Sequence, residues 1–306
     1  MGATFAGTLK FGFFTGLWVG SLAVVPLLLA LALSGHTAPF AAWCLLALFR
    51  RVVPARPWDA LRDVLCLDET PYFSSQHIVF AEGKPPPAGD ARVLCFHPHG
   101  LLCCAWTLGN TCSALRTSSV SWLAADSLLA LPLISDFLRC CATLPVSAPT
   151  FRRLLALRTN VALLPGGFEE ATLFARGRER VFIKSRRGFI KLALQHGASL
   201  QPCYGFGESH TYHAFTGFLR LRLWLCSFRV PAVAGFGTLR TAFLPFLPDA
   251  SAKMTLVVGK PLRLPRIEDP SAADVATWHG AYVAALTELF DAHKDKYGHG
   301  APLELF

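Results

Sequence analysis

Charged residues are scarce: Asp, Glu, Lys and Arg make up 16% of the 306 positions, while hydrophobic residues fill 53%. So little charge is rare in a soluble chain, and it predicts one large apolar core or a core plus a membrane segment. None of the ten cysteines stands at C-x-x-C spacing, which removes the zinc and thioredoxin-like sites built on it. The adjacent pairs Cys103-Cys104 and Cys140-Cys141 read, like the others, as reduced and mostly buried small hydrophobes. A core this apolar needs no disulfide framework, which places most of the chain in a reducing compartment. No G-x-S-x-G stretch occurs, so the nucleophile elbow of serine hydrolases is missing, and no internal repeat is visible. Acidic residues are outnumbered 20 to 29 by Lys and Arg, for a formal charge of +9. That excess suits lipid headgroups or a phosphorylated substrate; nothing besides charge asks for nucleic acid, and no nucleic-acid partner is expected.

What is present begins with Phe11 to Leu33, a run without a single charge. At about 1.5 Å per helical residue it is long enough to cross about 30 Å of hydrocarbon. After Ser34-Gly35-His36-Thr37 comes a shorter apolar run, Ala38 to Phe49. The pair reads either as a re-entrant hairpin or as one span plus an interfacial helix. Lys10 lies before the first run, and Arg50, Arg51 and Arg56 follow the second, which puts both flanks on the cytosolic side and favours the hairpin. A cleaved signal peptide fits less well, because the run exceeds an ordinary h-region and its basic flank is thin. The expected division is a membrane-embedded hairpin over residues 1–56 and a globular domain over 57–306.

From Arg92 onward short apolar runs alternate with helical patterns, which argues for an α/β sheet covered by helices. Strands are predicted at Val93–Phe96, Val120–Ala124, Val161–Leu164, Leu200–Tyr204 and Met254–Val258. Helices are predicted at Leu101–Leu115, Leu128–Cys141 with a break at Pro132, Thr150–Leu157 and Arg187–His196, the last closed by Gly197. A final helix over Asp274–Tyr297 has Ser271 as N-cap and Asp274 as its capping-box partner. On it Val275, Trp278, Tyr282, Leu286, Leu289 and Phe290 share one face, which a core-facing helix explains without further role. Phe215 to Leu247 mixes aromatics with Arg220, Arg222, Arg229 and Arg240, the composition of a surface in a lipid interface where basic side chains snorkel.

Three stretches carry chemistry. In "RVLCFHPHGLL", His97 and His99 stand where a strand gives way to a helix, the place where open α/β sheets gather their chemistry. His-x-His there can start a metal site, but His196, His210, His213 and His279 offer no second paired spacing, and no metal is expected. General-base catalysis, in which an imidazole takes the proton of a hydroxyl attacking a carbonyl, is what remains. In "LLPGGFEEA", Gly166 and Gly167 allow close approach to a ligand, and Glu169 and Glu170 offer carboxylates to orient an imidazole. In "KSRRGFIKLALQHGA", Lys184, Arg186, Arg187 and Lys191 gather at a helix start, where cations and free N–H groups favour phosphate.

These motifs, with "PVS" at Pro145 to Ser147, "SLQPCYGFGE", "VVGKPL" and "HKDKYG", resemble the type-2 diacylglycerol acyltransferase family, which also contains monoacylglycerol and wax-alcohol acyltransferases. The likeness runs from about Tyr72 to Gly298 in the family's order. It implies a mixed α/β fold like that of the glycerophospholipid acyltransferases, sited in the endoplasmic reticulum membrane with its catalytic domain in the cytosol. It implies acyl-CoA as co-substrate without a further cofactor, membrane lipids as surroundings, and diacylglycerol or a related lipid alcohol as acceptor. By the same resemblance His99 looks like the base and Glu170 its partner, with His97 keeping a claim to the base role. Pro98, Gly100, Gly166, Gly167, Arg187 and Lys191 are the expected substrate contacts, with the Gly166 and Gly167 N–H groups as candidate oxyanion donors. Cys103-Cys104, close behind the histidines, keep an acyl-cysteine route open. A non-catalytic lipid-binding protein is the reading of another class.

Overall fold

In the computed structural model, which describes residues 3–53, 57–228, 232–237 and 246–306, eleven strands run in chain order. They are β1 Ser75–Phe80, β2 Arg92–His97, β3 Val120–Ala124, β4 Thr143–Pro145, β5 Asn160–Leu163, β6 Glu179–Val181, β7 Ser199–Phe206, β8 His213–Ala214, β9 Gly235–Phe236, β10 Lys253–Val258 and β11 Leu303–Leu305. Seven form one mixed sheet in the order β1-β10-β7-β2-β5-β3-β4. The run from β7 to β4 is parallel, and β10 joins β7 antiparallel, so the expected mixed α/β sheet is present.

Alternation along β2 fills a core on each face, as the two-residue period of a strand requires. Val93 and Cys95 face one core with Val161, Ile190, Leu286 and Phe290; Leu94 and Phe96 face the other with Leu108, Trp122 and Ala162. The helix Ala272–Tyr297 covers the first core and starts from the expected capping box between Ser271 and Asp274. The helix Gly188–His196 ends at Gly197, whose φ of +61° is the left-handed C-cap its sequence predicts.

Several elements differ from expectation. Leu101–Leu115 is two helices, Cys104–Thr111 and Ser113–Thr117, separated by an extended Cys112. "GFEEATL" is a helix, Gly167–Leu173, where the sequence reading assigned none. The strand β1 has no counterpart in the sequence reading; it is a sheet edge with no fully buried residue, and its first half, Ser75-Gln76-His77, is polar. Arg222, expected to snorkel, turns inward and donates from Nε to Ala232 O at 2.8 Å and from Nη2 to Thr172 O at 3.1 Å. Phe215, Phe218, Leu221, Trp224 and Phe228 around it remain exposed, while Arg229 and Arg240 lie outside the described residues.

The N-terminal runs form two helices, Phe5–Leu33 and Ala38–Val52, packed side by side across a tight turn. Only the first is long and apolar enough to cross a membrane among the described residues. The two helices also make contacts with the globular domain. Gly7, Phe11 and Thr15, four apart, form a buried stripe, and Phe11 packs its ring 4.4 Å from Tyr72 and 5.3 Å from Phe73 inside the second core. A Cβ on Gly7 would meet Pro71 O at 2.5 Å, so the helix approaches the Thr70-Pro71 backbone only because residue 7 is glycine. Ser21 Oγ donates to Pro132 O at 2.6 Å, and Arg50 of the second helix pairs with Asp136. Both ends of the hairpin are thus tied to the same globular domain.

Candidate active site

Three adjacent parallel strands, β7, β2 and β5, end side by side and deliver their chemistry into one crevice. His97 is the last residue of β2, and His99 follows two residues on. Glu170 sits in the first turn of the helix that follows β5. Glu208 follows β7.

His97 is buried and engaged at both ring nitrogens. Its Nδ1 lies 3.3 and 3.4 Å from the two oxygens of Glu170, and its Nε2 lies 3.0 Å from the Tyr282 hydroxyl. A carboxylate only accepts, so Nδ1 carries the proton there and Nε2 accepts from Tyr282 O–H. Burial holds the Tyr282 hydroxyl far above its usual titration range, so it remains a donor. Both ring nitrogens of His97 are therefore answered from within the protein, one as donor and one as acceptor.

His99 differs in each respect. Its side chain is only half-buried, and its Nδ1 lies 3.0 Å from Gly100 O. A carbonyl cannot donate, so this bond fixes the proton on Nδ1 and leaves Nε2 with a free lone pair. Among the described residues Nε2 meets only the Cys103 thiol, at 3.5 Å. Burial lowers the His99 pKa below its ordinary 6.5, against the opposing pull of Gly100 O and the Glu170 charge. The ring is then neutral at physiological pH, the state a proton acceptor needs.

Glu170 organises both histidines but does not touch the His99 ring. Its Oε1 accepts the His99 backbone N–H at 2.6 Å, and its Oε2 accepts the Phe182 N–H at 2.8 Å. The expected Glu170 to His99 imidazole pairing is thus replaced by a ring contact to His97 and a main-chain contact to His99. Glu169 pairs with Arg186, which also donates to Gly166 O at 3.2 Å and so ties the basic segment to the glycine turn. Glycine at 166 is required by Glu170, because a Cβ there would lie 2.0 Å from Glu170 Oε2. The Gly167 N–H already donates to Leu164 O at 3.2 Å, so of the two expected oxyanion donors only Gly166 makes no such bond among the described residues. Pro98 is buried beside the histidines. Arg187 and Lys191 are exposed, one turn apart at the start of the Gly188–His196 helix.

Two residues of the crevice escaped the sequence. Tyr282 fits its core-facing stripe so well that nothing marked it, and only the fold brings it across 185 positions to His97. Glu208 closes the motif "SLQPCYGFGE" without a role read from it, yet its side chain is fully buried against Gly100.

A half-buried neutral imidazole beside a buried carboxylate–histidine pair, at the carboxyl ends of parallel strands, has the parts that general-base transfer needs. Comparison with known proteins gives its lineage. The family described as diacylglycerol acyltransferase matches residues 72–305. Acyl-CoA wax alcohol acyltransferase 2 of Mus musculus is 33% identical over 232 residues, covering 70% of this chain and 68% of that protein. 2-acylglycerol O-acyltransferase 3 of Homo sapiens is 33% identical over 261 residues, covering 79% of this chain and 72% of that protein. Among solved structures, the 1-acyl-sn-glycerophosphate acyltransferase PlsC of Thermotoga maritima aligns over 90% of this chain and 98% of its own, at 14% identity and a TM-score of 0.42. The chain belongs to the diacylglycerol acyltransferase family, and it is an O-acyltransferase.

Proposed function

We propose that the chain transfers an acyl group from acyl-CoA to a lipid alcohol, diacylglycerol giving triacylglycerol, with His99 as the base. The observation that carries this is the free Nε2 of a half-buried, neutral imidazole whose Nδ1 is fixed by Gly100 O. His99 Nε2 takes the acceptor's hydroxyl proton as the oxygen attacks the thioester carbonyl. The tetrahedral intermediate places its negative oxygen towards the Gly166 N–H. Collapse breaks the C–S bond, and the coenzyme A thiolate leaves with the proton returned from His99. Arg187 and Lys191 hold the donor's phosphates, and Pro98 and Gly100 shape the wall against which the acyl group lies.

Direct transfer is favoured over an acyl-cysteine because burial, with the Glu208 and Glu170 charges nearby, pushes the Cys103 thiol well above its usual range. A protonated thiol is a poor nucleophile. The hairpin enters the endoplasmic reticulum membrane from the cytosolic side, a reading supported by the return of both its ends to one domain. A second acceptor reading, a monoacylglycerol or fatty alcohol, is favoured by the names of the relatives. Membranes containing the full chain, given labelled acyl-CoA and a panel of diacylglycerol, monoacylglycerol and fatty alcohol, separate these. Triacylglycerol as the major product supports the first reading, and a dominant wax ester or diacylglycerol product overturns it.

A further inference from the structure

Glu208 is wholly buried beside the base, and the mechanism above does not use it. It stands immediately beyond β7, on the side of β2 opposite the strand that supplies Glu170. Its Oε1 accepts the Cys104 N–H at 3.1 Å and its Oε2 the Ala105 N–H at 2.7 Å. These are first-turn donors of the Cys104–Thr111 helix, which have no partner within the helix. Cys103, the N-cap, is in the left-handed region with φ +52° and makes no side-chain cap, so a carboxylate from a distant strand does that work.

The approach is close by construction. Gly207 has φ +91°, and a Cβ there would meet Lys253 O at 2.0 Å; on Gly205 it would meet the Ala105 Cβ at 2.3 Å. Gly205 brings β7 against the helix start, and Gly207 lets the turn that carries Glu208 pass close to the first carbonyl of β10. At the other end of the contact, Gly100 has φ +65°, and a Cβ on it would fall 2.0 Å from Glu208 Oε1. The segment from His99 to Ala105 is thus held between two carboxylates. Glu170 takes the His99 N–H at its start, and Glu208 takes the Cys104 and Ala105 N–H groups at its end while packing on Gly100.

We infer that Glu208 is a positioning residue for the base: it holds the Gly100 peptide where its carbonyl fixes the His99 proton on Nδ1. This rests on the reading of His99 as the base. Burial raises the Glu208 pKa to about 7, against the lowering effect of the two backbone N–H groups, so the carboxylate is held at a cost that the segment's geometry must repay.

The test is Glu208→Gln in the full-length protein, assayed in membranes with the acceptor that the wild type uses, alongside His99→Ala. Glutamine keeps the size but presents an NH2 to one of the two N–H donors, so the segment shifts without a cavity. The expected result is a fall in kcat of roughly 10–100-fold, the usual effect of misplacing a reacting group by a fraction of an ångström to 1 Å, with KM for acyl-CoA within about twofold. The acidic limb of the kcat–pH profile should also move to lower pH. The Gly100 carbonyl helps hold a proton on His99, whose ring otherwise faces the Cys103 thiol and the Glu170 charge, and loosening that bond lowers its pKa further. A mere loss of folded protein would lower kcat and leave the limb in place.

Native thermal stability with kcat within about threefold of wild type overturns the proposal, and so does a reduced kcat with an unmoved limb. If Glu208→Gln does not accumulate, Glu208→Asp decides by the same two readouts, since it keeps the charge and loses the reach. Full activity of His99→Ala sinks the base assignment itself, whereas an inactive His99→Ala beside an unaffected Glu208→Gln sinks only the role of Glu208.

Discussion

In the crevice, polar atoms are buried and answered one by one: both nitrogens of His97, both oxygens of Glu170 and both oxygens of Glu208 have partners inside the protein. In the N-terminal hairpin the arrangement is reversed, with Leu22, Leu27, Leu29, Leu33, Leu45, Leu46, Leu48 and Phe49 exposed and only a thin stripe turned to the domain. Water tolerates the first and penalises the second, since exposed apolar area of that extent belongs to an interface. That contrast supports the proposed placing of the hairpin in hydrocarbon, with the crevice as the polar terminus where the proposed reaction brings a lipid alcohol and a water-soluble thioester together. The two regions are joined through Phe11, which lies at once in the apolar helix and in the core behind β2.

The largest effect comes from damaging the crevice alone. His99→Ala should lower acyl transfer by roughly 10²–10⁴-fold, the range for a positioned general base, while membrane attachment stays as it was. His97→Ala should also be severe, because it unhooks Glu170; a loss greater than that of His99→Ala would exchange the two roles. The base must be deprotonated and its pKa is lowered, so in Glu208→Gln, which has no carboxylate at 208 to titrate at about 7, what kcat remains should hold as pH falls through 6.5 and decline only below it. A decline centred above 6.5 would contradict the lowered value.

Damage at the joint comes next. Phe11→Ala removes a fully buried ring between Tyr72 and Phe73 and should cost about 3–5 kcal/mol of stability. Thermal unfolding in detergent reads this, and an unchanged transition would mean that the helix is not docked in the membrane-borne protein. Deleting Met1 to Arg51 removes the strongest anchor but leaves exposed Phe215, Phe218, Leu221 and Trp224. The truncated protein should stay partly membrane-bound and be released by salt or alkaline wash more readily than the full chain. Complete solubility in low salt would show that the second surface does not face lipid.

Much of the crevice was readable because strand ends announce themselves. An apolar run that stops at His97, and another that stops at Pro165-Gly166-Gly167, mark adjacent places in a parallel sheet. The links between those places were not readable. Glu170 bonds the His99 main chain rather than its ring, and no side-chain pattern encodes a backbone N–H. Tyr282 was hidden because a helix face accounts for it locally, and Glu208 closed "SLQPCYGFGE" without showing its role, because their partners lie 185 and about 100 positions away. The docking of the first helix was missed for a related reason: hydrophobicity shows that Phe5–Leu33 avoids water but not which stripe of it meets protein. The glycine and small residues at 7 and 15 around Phe11 were the available sign.

The smallest expected effect tests where the donor enters the crevice from the aqueous side. Arg187 and Lys191 are exposed and stand four residues apart on one helix, so they can act together on a phosphate without being buried by it. An exposed charge pair contributes about 0–1 kcal/mol per contact once solvent and salt screen it. The double substitution Arg187→Ala with Lys191→Ala should therefore raise KM for acyl-CoA by only about 3–10-fold, sparing the acceptor's KM and kcat. Raising the salt concentration should shrink the difference between mutant and wild type, because the lost interaction is the one that salt screens. Equal weakening of donor and acceptor would point instead to distortion of the helix that ties, through Arg186, to Glu169 and Gly166, and the donor's phosphates would then have to be sought on another face of the domain.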